Sequence, residues 1–208
     1  MTNTTNTNSR VVIAYDMNLE NFQMATAIRG VLEFYGLQVT LVWLNDKQDA
    51  IYFFAGYAIK ADYTILCAHG IGKENRIWLM VVEKIAGTEY RYEEVEFNLT
   101  PDNIGEYVKN AGGMFITTAC DSGCEEFAKA FLDAGYRAFI APCVAVDLSS
   151  AVMFICGFFC NTLAHDRDIH KATYTEREAV ERAAAIKPFP DGTAAFRYFG
   201  GDDNGRGS

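Results

Sequence analysis

The feature that most constrains the fold is an alternation of short apolar segments with helical patterns along nearly the whole chain. Residues 10–15 read RVVIAY, a run typical of a buried parallel strand. In residues 18–35, apolar side chains recur at spacings of three and four, which predicts an amphipathic helix. Because strands joined by helical crossovers pair in parallel, we predict an α/β fold with helices on both faces of a mostly parallel sheet.

The same pattern predicts the remaining elements. Core strands are expected at 10–15, 38–44, 62–68, 114–119 and 136–141, and helices at 18–35, 47–60, 100–108, 122–134, 149–165 and 175–186. The segments 76–83 and 89–97 depart from the alternation and predict an inserted β-hairpin. At the start of the helix after the fourth core strand, Ser122 and Glu125 have the spacing of a capping box.

One domain accounts for the chain of 208 residues. We place it at residues 10–199, after a disordered polar tail at 1–9 and before a flexible tail at 200–208 that is rich in glycine and aspartate.

The net charge of -9 argues against nucleic acid and anionic membranes as partners, since like charges repel. The longest apolar run, 151–160, is too short to span a bilayer, and no secretory leader is recognised, so we expect a cytoplasmic protein. The six cysteines form no CxxC pair, and neither a dinucleotide nor a P-loop motif occurs. We therefore expect no metal and no cofactor.

Two side chains with complementary chemistry each follow a predicted strand. His69 ends one strand and Cys120 ends another, so both are expected at the carboxyl edge of the sheet, where ligand sites of such folds lie. A cysteine becomes a nucleophilic thiolate when an imidazole takes its proton. Gly70 has no side chain, so its N–H can approach a substrate carbonyl and, with the N–H of Cys120, form an oxyanion hole.

The charge environment predicted for Cys120 contains opposing contributions. A helix N-terminus close behind it favours the thiolate. Asp121, Glu125 and Glu126 disfavour it, because nearby carboxylates repel a second negative charge. The sequence leaves the net sign open.

Three motifs resemble those of the caspase-like (clan CD) cysteine peptidases, most closely the CHAT branch that includes separase-type proteases. They are ILCAHG at 65–70, TTACDSG at 117–123 and AGYRAFIAPCVAVD at 134–147, and the similarity extends over roughly residues 10–186. The spacing of about 50 residues from the histidine to the cysteine also agrees with that family.

The resemblance implies a caspase-like fold and a cysteine endopeptidase. In that case His69 is the general acid and base, and Cys120 is the nucleophile that forms a thioester acyl-enzyme. Asp147 matches the acidic position that, in separase-like members, faces a basic P1 side chain, which implies cleavage after Arg or Lys. The implied partners are a protein or peptide substrate and an activating protein. The family's tryptophan before the Val-x-Asp stretch is replaced by Val144.

Other interpretations stay open at this point. The chain could be a catalytically inactive caspase-like binding module, or a cysteine hydrolase of the DJ-1 or glutamine-amidotransferase type, whose base follows the cysteine; here His165 or His170 would supply it. Asp147 could simply cap the helix that follows. Cys156 and Cys160 lie four apart in an apolar helix, where core packing is the expectation.

Overall fold

The computed structural model describes residues 9–57, 60–87, 91–109, 112–163, 165–166, 171–172, 174–186 and 195–200. In chain order the elements are β1 (Arg10–Tyr15), α1 (Leu19–Phe34), β2 (Gln38–Trp43), α2 (Lys47–Phe54), β3 (Tyr63–Cys67), β4 (His69–Ile71), β5 (Arg76–Lys84), β6 (Tyr92–Leu99), α3 (Ile104–Tyr107), β7 (Met114–Thr117), α4 (Glu125–Asp133), β8 (Ala138–Pro142), α5 (Leu148–Thr162), β9 (His165–Asp166), β10 (Lys171–Ala172), α6 (Glu176–Ala184) and β11 (Phe196–Gly200).

The central sheet has six strands in the order β2-β1-β3-β7-β8-β11. All its neighbours pair in parallel except β11, which runs antiparallel to β8 at one edge. The burial of β3, β7 and β8 is complete along their length, which explains why they read as unbroken apolar runs. Their carboxyl ends lie side by side, and these ends carry the residues discussed below.

Helices cover both faces of the sheet. One core cluster packs α1, α5 and α6 against it, and the other packs α2, α3 and α4 on the opposite side. This confirms the predicted three-layer α/β/α sandwich with a mostly parallel sheet. None of the helices in the described ranges has the length and apolar character needed to cross a membrane.

The predicted hairpin is present and belongs to a small antiparallel sheet, β4-β5-β6. Its inner face carries buried Ile77, Leu79 and Val81, which join the core cluster of α2, α3 and α4. The third strand, β4, begins at His69 and pairs with β5. The residues immediately after β3 are therefore held by two sheets at once.

The edge strand β11 differs from the sequence-based expectation. The pattern did not predict β11, which is short and pairs only at the sheet edge. Its last residue is Gly200, which we had assigned to the tail. The segments 1–8 and 201–208 lie outside the described residues, so the predicted disorder of both tails stays a prediction.

A buried carboxylate joins the small sheet to the central one. Asp16, which follows β1 and is 1% exposed, accepts hydrogen bonds from the Met80 N–H at 2.7 Å, the Asn18 N–H at 3.0 Å and the Asn21 side-chain amide at 2.8 Å. The donors belong to two parts of the fold: Met80 lies in β5, while Asn18 and Asn21 form the N-cap and first turn of α1. Asp16 thereby fixes the small sheet over the carboxyl edge.

We expect Asp16→Ala to destabilise the protein by about 3 kcal/mol, because three donors lose their acceptor and two of them are attached to packed elements. The measurement is the free energy of unfolding from a urea titration. Asp102→Ala, at an exposed turn position, is the matched control and should change this quantity by about 0.5 kcal/mol or less. Equal effects of the two substitutions would contradict the structural role of Asp16.

Candidate active site

Two threonines at the end of β7 join it to the end of β3. The Thr118 N–H donates to the Leu66 carbonyl at 3.1 Å, and its hydroxyl oxygen accepts from the Ala68 N–H at 3.2 Å. The Thr117 hydroxyl also donates to Leu66 O at 3.2 Å. Both threonines are buried. These bonds extend the pairing of β3 and β7 beyond the regular ladder. The residues that follow, His69 and Cys120, therefore lie at the same carboxyl edge of the sheet.

The backbones of Gly70 and Cys120 lie in direct contact. A Cβ built at Gly70 would lie 2.1 Å from the Cys120 carbonyl oxygen and 2.7 Å from its nitrogen, distances that no side chain can occupy. Glycine is required here by the approach of the protein's own backbone, whereas the sequence suggested the approach of a substrate carbonyl. The His69-Gly70 pair and Cys120, 51 residues apart in sequence, are thus adjacent in space.

The Cys120 side chain faces the loop that follows β8. Its Sγ lies 3.3 Å from the Val146 nitrogen, which donates to it, and 3.6 Å from the Val146 carbonyl oxygen. The turn after it is tightly held: Asp121 has a positive φ of 60°, and the Gly123 N–H donates to the Pro142 carbonyl at 2.8 Å. Cys120 therefore stands between the ends of β3 and β8, partly exposed.

His69 lies on the small sheet, where it stacks on Trp78. The ring centroids are 4.6 Å apart and the ring planes differ by 22°, as the β4–β5 register pairs the two residues directly. The His69 Nε2 atom is enclosed and has no hydrogen-bond partner among the residues that the structure describes. It consequently makes no hydrogen bond to Cys120 in this conformation.

The predicted capping box at Ser122 is wrong. The helix α4 begins at Glu125 with Cys124 as its N-cap residue, and the Ser122 hydroxyl donates to the Ala119 carbonyl at 2.7 Å. Since a helix dipole acts within the first turn, Cys120, five residues before the helix, lies beyond its main influence. The predicted electrostatic pull on the Cys120 sulfur is correspondingly reduced.

Two other cysteines, Cys67 and Cys124, lie near this edge. Burial raises the pKa of the Cys67 thiol in β3, and the negative charge of Asp16 adds to the effect. Burial likewise raises the pKa of Cys124, and a hydrogen bond to the Glu126 carboxylate contributes. A thiol whose pKa is raised forms the nucleophilic thiolate less readily.

Asp147 is the N-cap of α5. Its carboxylate accepts from the Ser150 N–H at 2.8 Å and from the hydroxyls of Ser149 and Ser150. The capping interpretation is therefore confirmed, and the side chain is exposed at the edge of the loop that contacts Cys120. Its predicted contact with a substrate stays a prediction.

The alternative bases occupy a different part of the chain. His165 lies in the short β9–β10 ribbon that follows α5, and His170 is outside the described residues. The backbone of Gly70, the residue after His69, is in contact with that of Cys120.

Sequence reasoning missed three residues that shape this site: Thr118, Trp78 and Val146. Thr118 and Val146 lie inside the motifs TTACDSG and AGYRAFIAPCVAVD, but neither motif indicated their contacts. Trp78 acts through strand pairing across the fold, which no local pattern encodes.

No family model matches the chain, and no curated protein is similar to it. Among solved structures, the chain is similar to a flavodoxin of Streptococcus pneumoniae TIGR4 with a TM-score of 0.35 and 14% sequence identity, over 86% of this chain and 100% of that chain. A likeness this slight carries no functional information.

We expect Gly70→Ala to destabilise the protein by about 3 kcal/mol or more, because the added methyl group forces the ends of β3 and β7 apart. Gly30→Ala, in the interior of α1 with nothing within 4 Å of the new Cβ, is the control and should stabilise by roughly 0.5–1 kcal/mol. Chemical denaturation of the two variants measures both effects. A neutral Gly70→Ala would show that the close backbone approach does not exist.

Proposed function

We propose that this chain is a caspase-like cysteine endopeptidase in which Cys120 is the nucleophile and His69 the acid and base. The observation that carries the proposal is the backbone contact of Gly70 with Cys120, which brings a His-Gly pair and a cysteine to the same carboxyl edge. The motifs described above support the caspase-like assignment, because the histidine and the cysteine in them are His69 and Cys120.

The proposed first step is transfer of the Cys120 thiol proton to the His69 imidazole. In the present conformation the sulfur contacts Val146, so rotation of the thiol away from that loop precedes the transfer. Hydrogen bonds of catalytic groups commonly tighten only when substrate binds. The enclosed, unpaired Nε2 of His69 supports this role, because a buried polar atom without a partner is costly unless it gains one during function.

The thiolate then attacks the scissile carbonyl carbon, and the N–H groups of Cys120 and Gly70 stabilise the oxyanion. The imidazolium gives its proton to the leaving amine as the C–N bond breaks, which leaves a thioester on Cys120. Water, deprotonated by His69, hydrolyses the thioester and restores the thiol. Trp78 supports the charged intermediate state, since an aromatic face stabilises a stacked cation.

A basic P1 residue fits the charge of the chain. The net charge of -9 favours approach of cationic peptides. Val146 contacts the Cys120 sulfur, and Asp147 is the next residue along the same loop. The Asp147 carboxylate is therefore attached to the residue adjacent to that contact. We propose that it pairs with Arg or Lys at P1.

An arginine acyloxymethyl ketone should label the wild-type protein and fail to label Cys120→Ala, as read by intact-protein mass. His69→Ala should slow the labelling by roughly 100-fold or more, because proton transfer is lost. Cys160→Ala, which removes an exposed thiol elsewhere, is the matched control and should react like wild type.

The outcomes separate the rival functions. Wild type that resists the probe under conditions that preserve the fold would support the inactive binding module. Labelling that survives His69→Ala but is lost in His165→Ala would favour a hydrolase of the DJ-1 type instead.

Fluorogenic peptides that differ only at P1 should be cleaved after Arg or Lys, and Asp147→Asn should lower kcat/KM for them at least tenfold by removing the charge-assisted pair. Asparagine caps helices as well as aspartate does, so thermal stability should stay unchanged. Cleavage after P1 Asp, or an Asn variant with wild-type kcat/KM, would rule out the proposed contact.

A further inference from the structure

Two cysteines on the outer side of α5 are not core residues, contrary to the sequence-based expectation. Cys160 is exposed and Cys156 is partly exposed, while Phe154, Ile155 and Phe158 on the same helix are buried. Residues four apart lie one above the other on a helix, with Cβ atoms about 5–6 Å apart. The two thiols therefore form a pair that solvent can reach.

One further soft donor lies on the same stripe of the helix as the pair. Met153, 46% exposed and one turn before Cys156, lies on the same stripe of α5. The neighbouring Cys160 side chain raises the pKa of the Tyr35 phenol at the end of α1. Among the described residues, no group of three or more His, Cys, Asp or Glu side chains is placed to hold a metal. The soft donors on this stripe of α5 are the sulfur atoms of residues 153, 156 and 160.

We propose that Cys156 and Cys160 form a surface site for a soft monovalent metal ion, Cu(I), held between their two sulfur atoms. Thiolates and thioethers select Cu(I) over harder ions. A spacing of one helical turn suits an ion bridged by two sulfurs, whereas a four-ligand zinc site would need donors that this stripe lacks. This site is separate from Cys120 and does not depend on the proposed peptidase activity.

Binding exchanges protons for the metal. Each thiol loses its proton as its sulfur binds, so one Cu(I) and two thiols give a bis-thiolate complex with one negative charge and two released protons, without any change of oxidation state.

The test is an anaerobic titration of the full chain with Cu(I) in competition with a chromogenic bicinchoninate chelator. Wild type should retain one equivalent of Cu(I). Cys156→Ser and Cys160→Ser should each lose it, while Cys120→Ser, which removes a partly exposed thiol elsewhere, should keep it. X-ray absorption of the loaded protein should show sulfur ligands only.

A second measurement needs no variant. Iodoacetamide modification of wild type, mapped by mass spectrometry, should decrease at Cys156 and Cys160 when one equivalent of Cu(I) is bound and stay unchanged at Cys143. Any of three outcomes would overturn the proposal. They are retention of copper by Cys160→Ser, protection of a different cysteine from iodoacetamide, and failure of the wild type to hold copper against the chelator.

Discussion

The contact between the backbones of Gly70 and Cys120 is the constraint on which the rest of the site depends. It exists because Thr117 and Thr118 extend the pairing of β3 and β7, and because position 70 has no side chain. Neither strand alone would hold the Cys120 thiol in a defined position. The small sheet continues directly from β3 through His69. The two strands and this sheet together place His69, Gly70 and Cys120 at the same part of the carboxyl edge.

Much of this arrangement follows from the sequence. The alternation of apolar runs and helical patterns predicted the three layers, because parallel strands need crossovers and crossovers cover both faces. The convergence of His69 and Cys120 at one edge needed no knowledge of strand order, since carboxyl ends of parallel strands share an edge. The hairpin was also foreseen, from two strand-like segments that interrupt the alternation.

The rest depends on contacts between distant parts of the chain. The stack of His69 on Trp78 results from the register of β4 against β5, which local periodicity does not determine. Ser122 has the right spacing for a cap, yet the hydrogen bond of Gly123 to Pro142 bends the chain first and moves the helix start to Glu125. The strand β11 was missed because a short edge strand has no buried partner on one side to impose a pattern.

The proposed contact of Asp147 with a basic side chain involves the same carboxylate that caps α5. Its carboxylate already satisfies the first turn of α5, including both serine hydroxyls. A guanidinium bound to the same oxygens would compete with those hydrogen bonds. Binding of a basic side chain to Asp147 would therefore loosen the beginning of α5. The helix α5 packs against α1 and α6. A change in the hydrogen bonds of the Asp147 carboxylate would therefore affect the packing of all three helices on that face of the sheet.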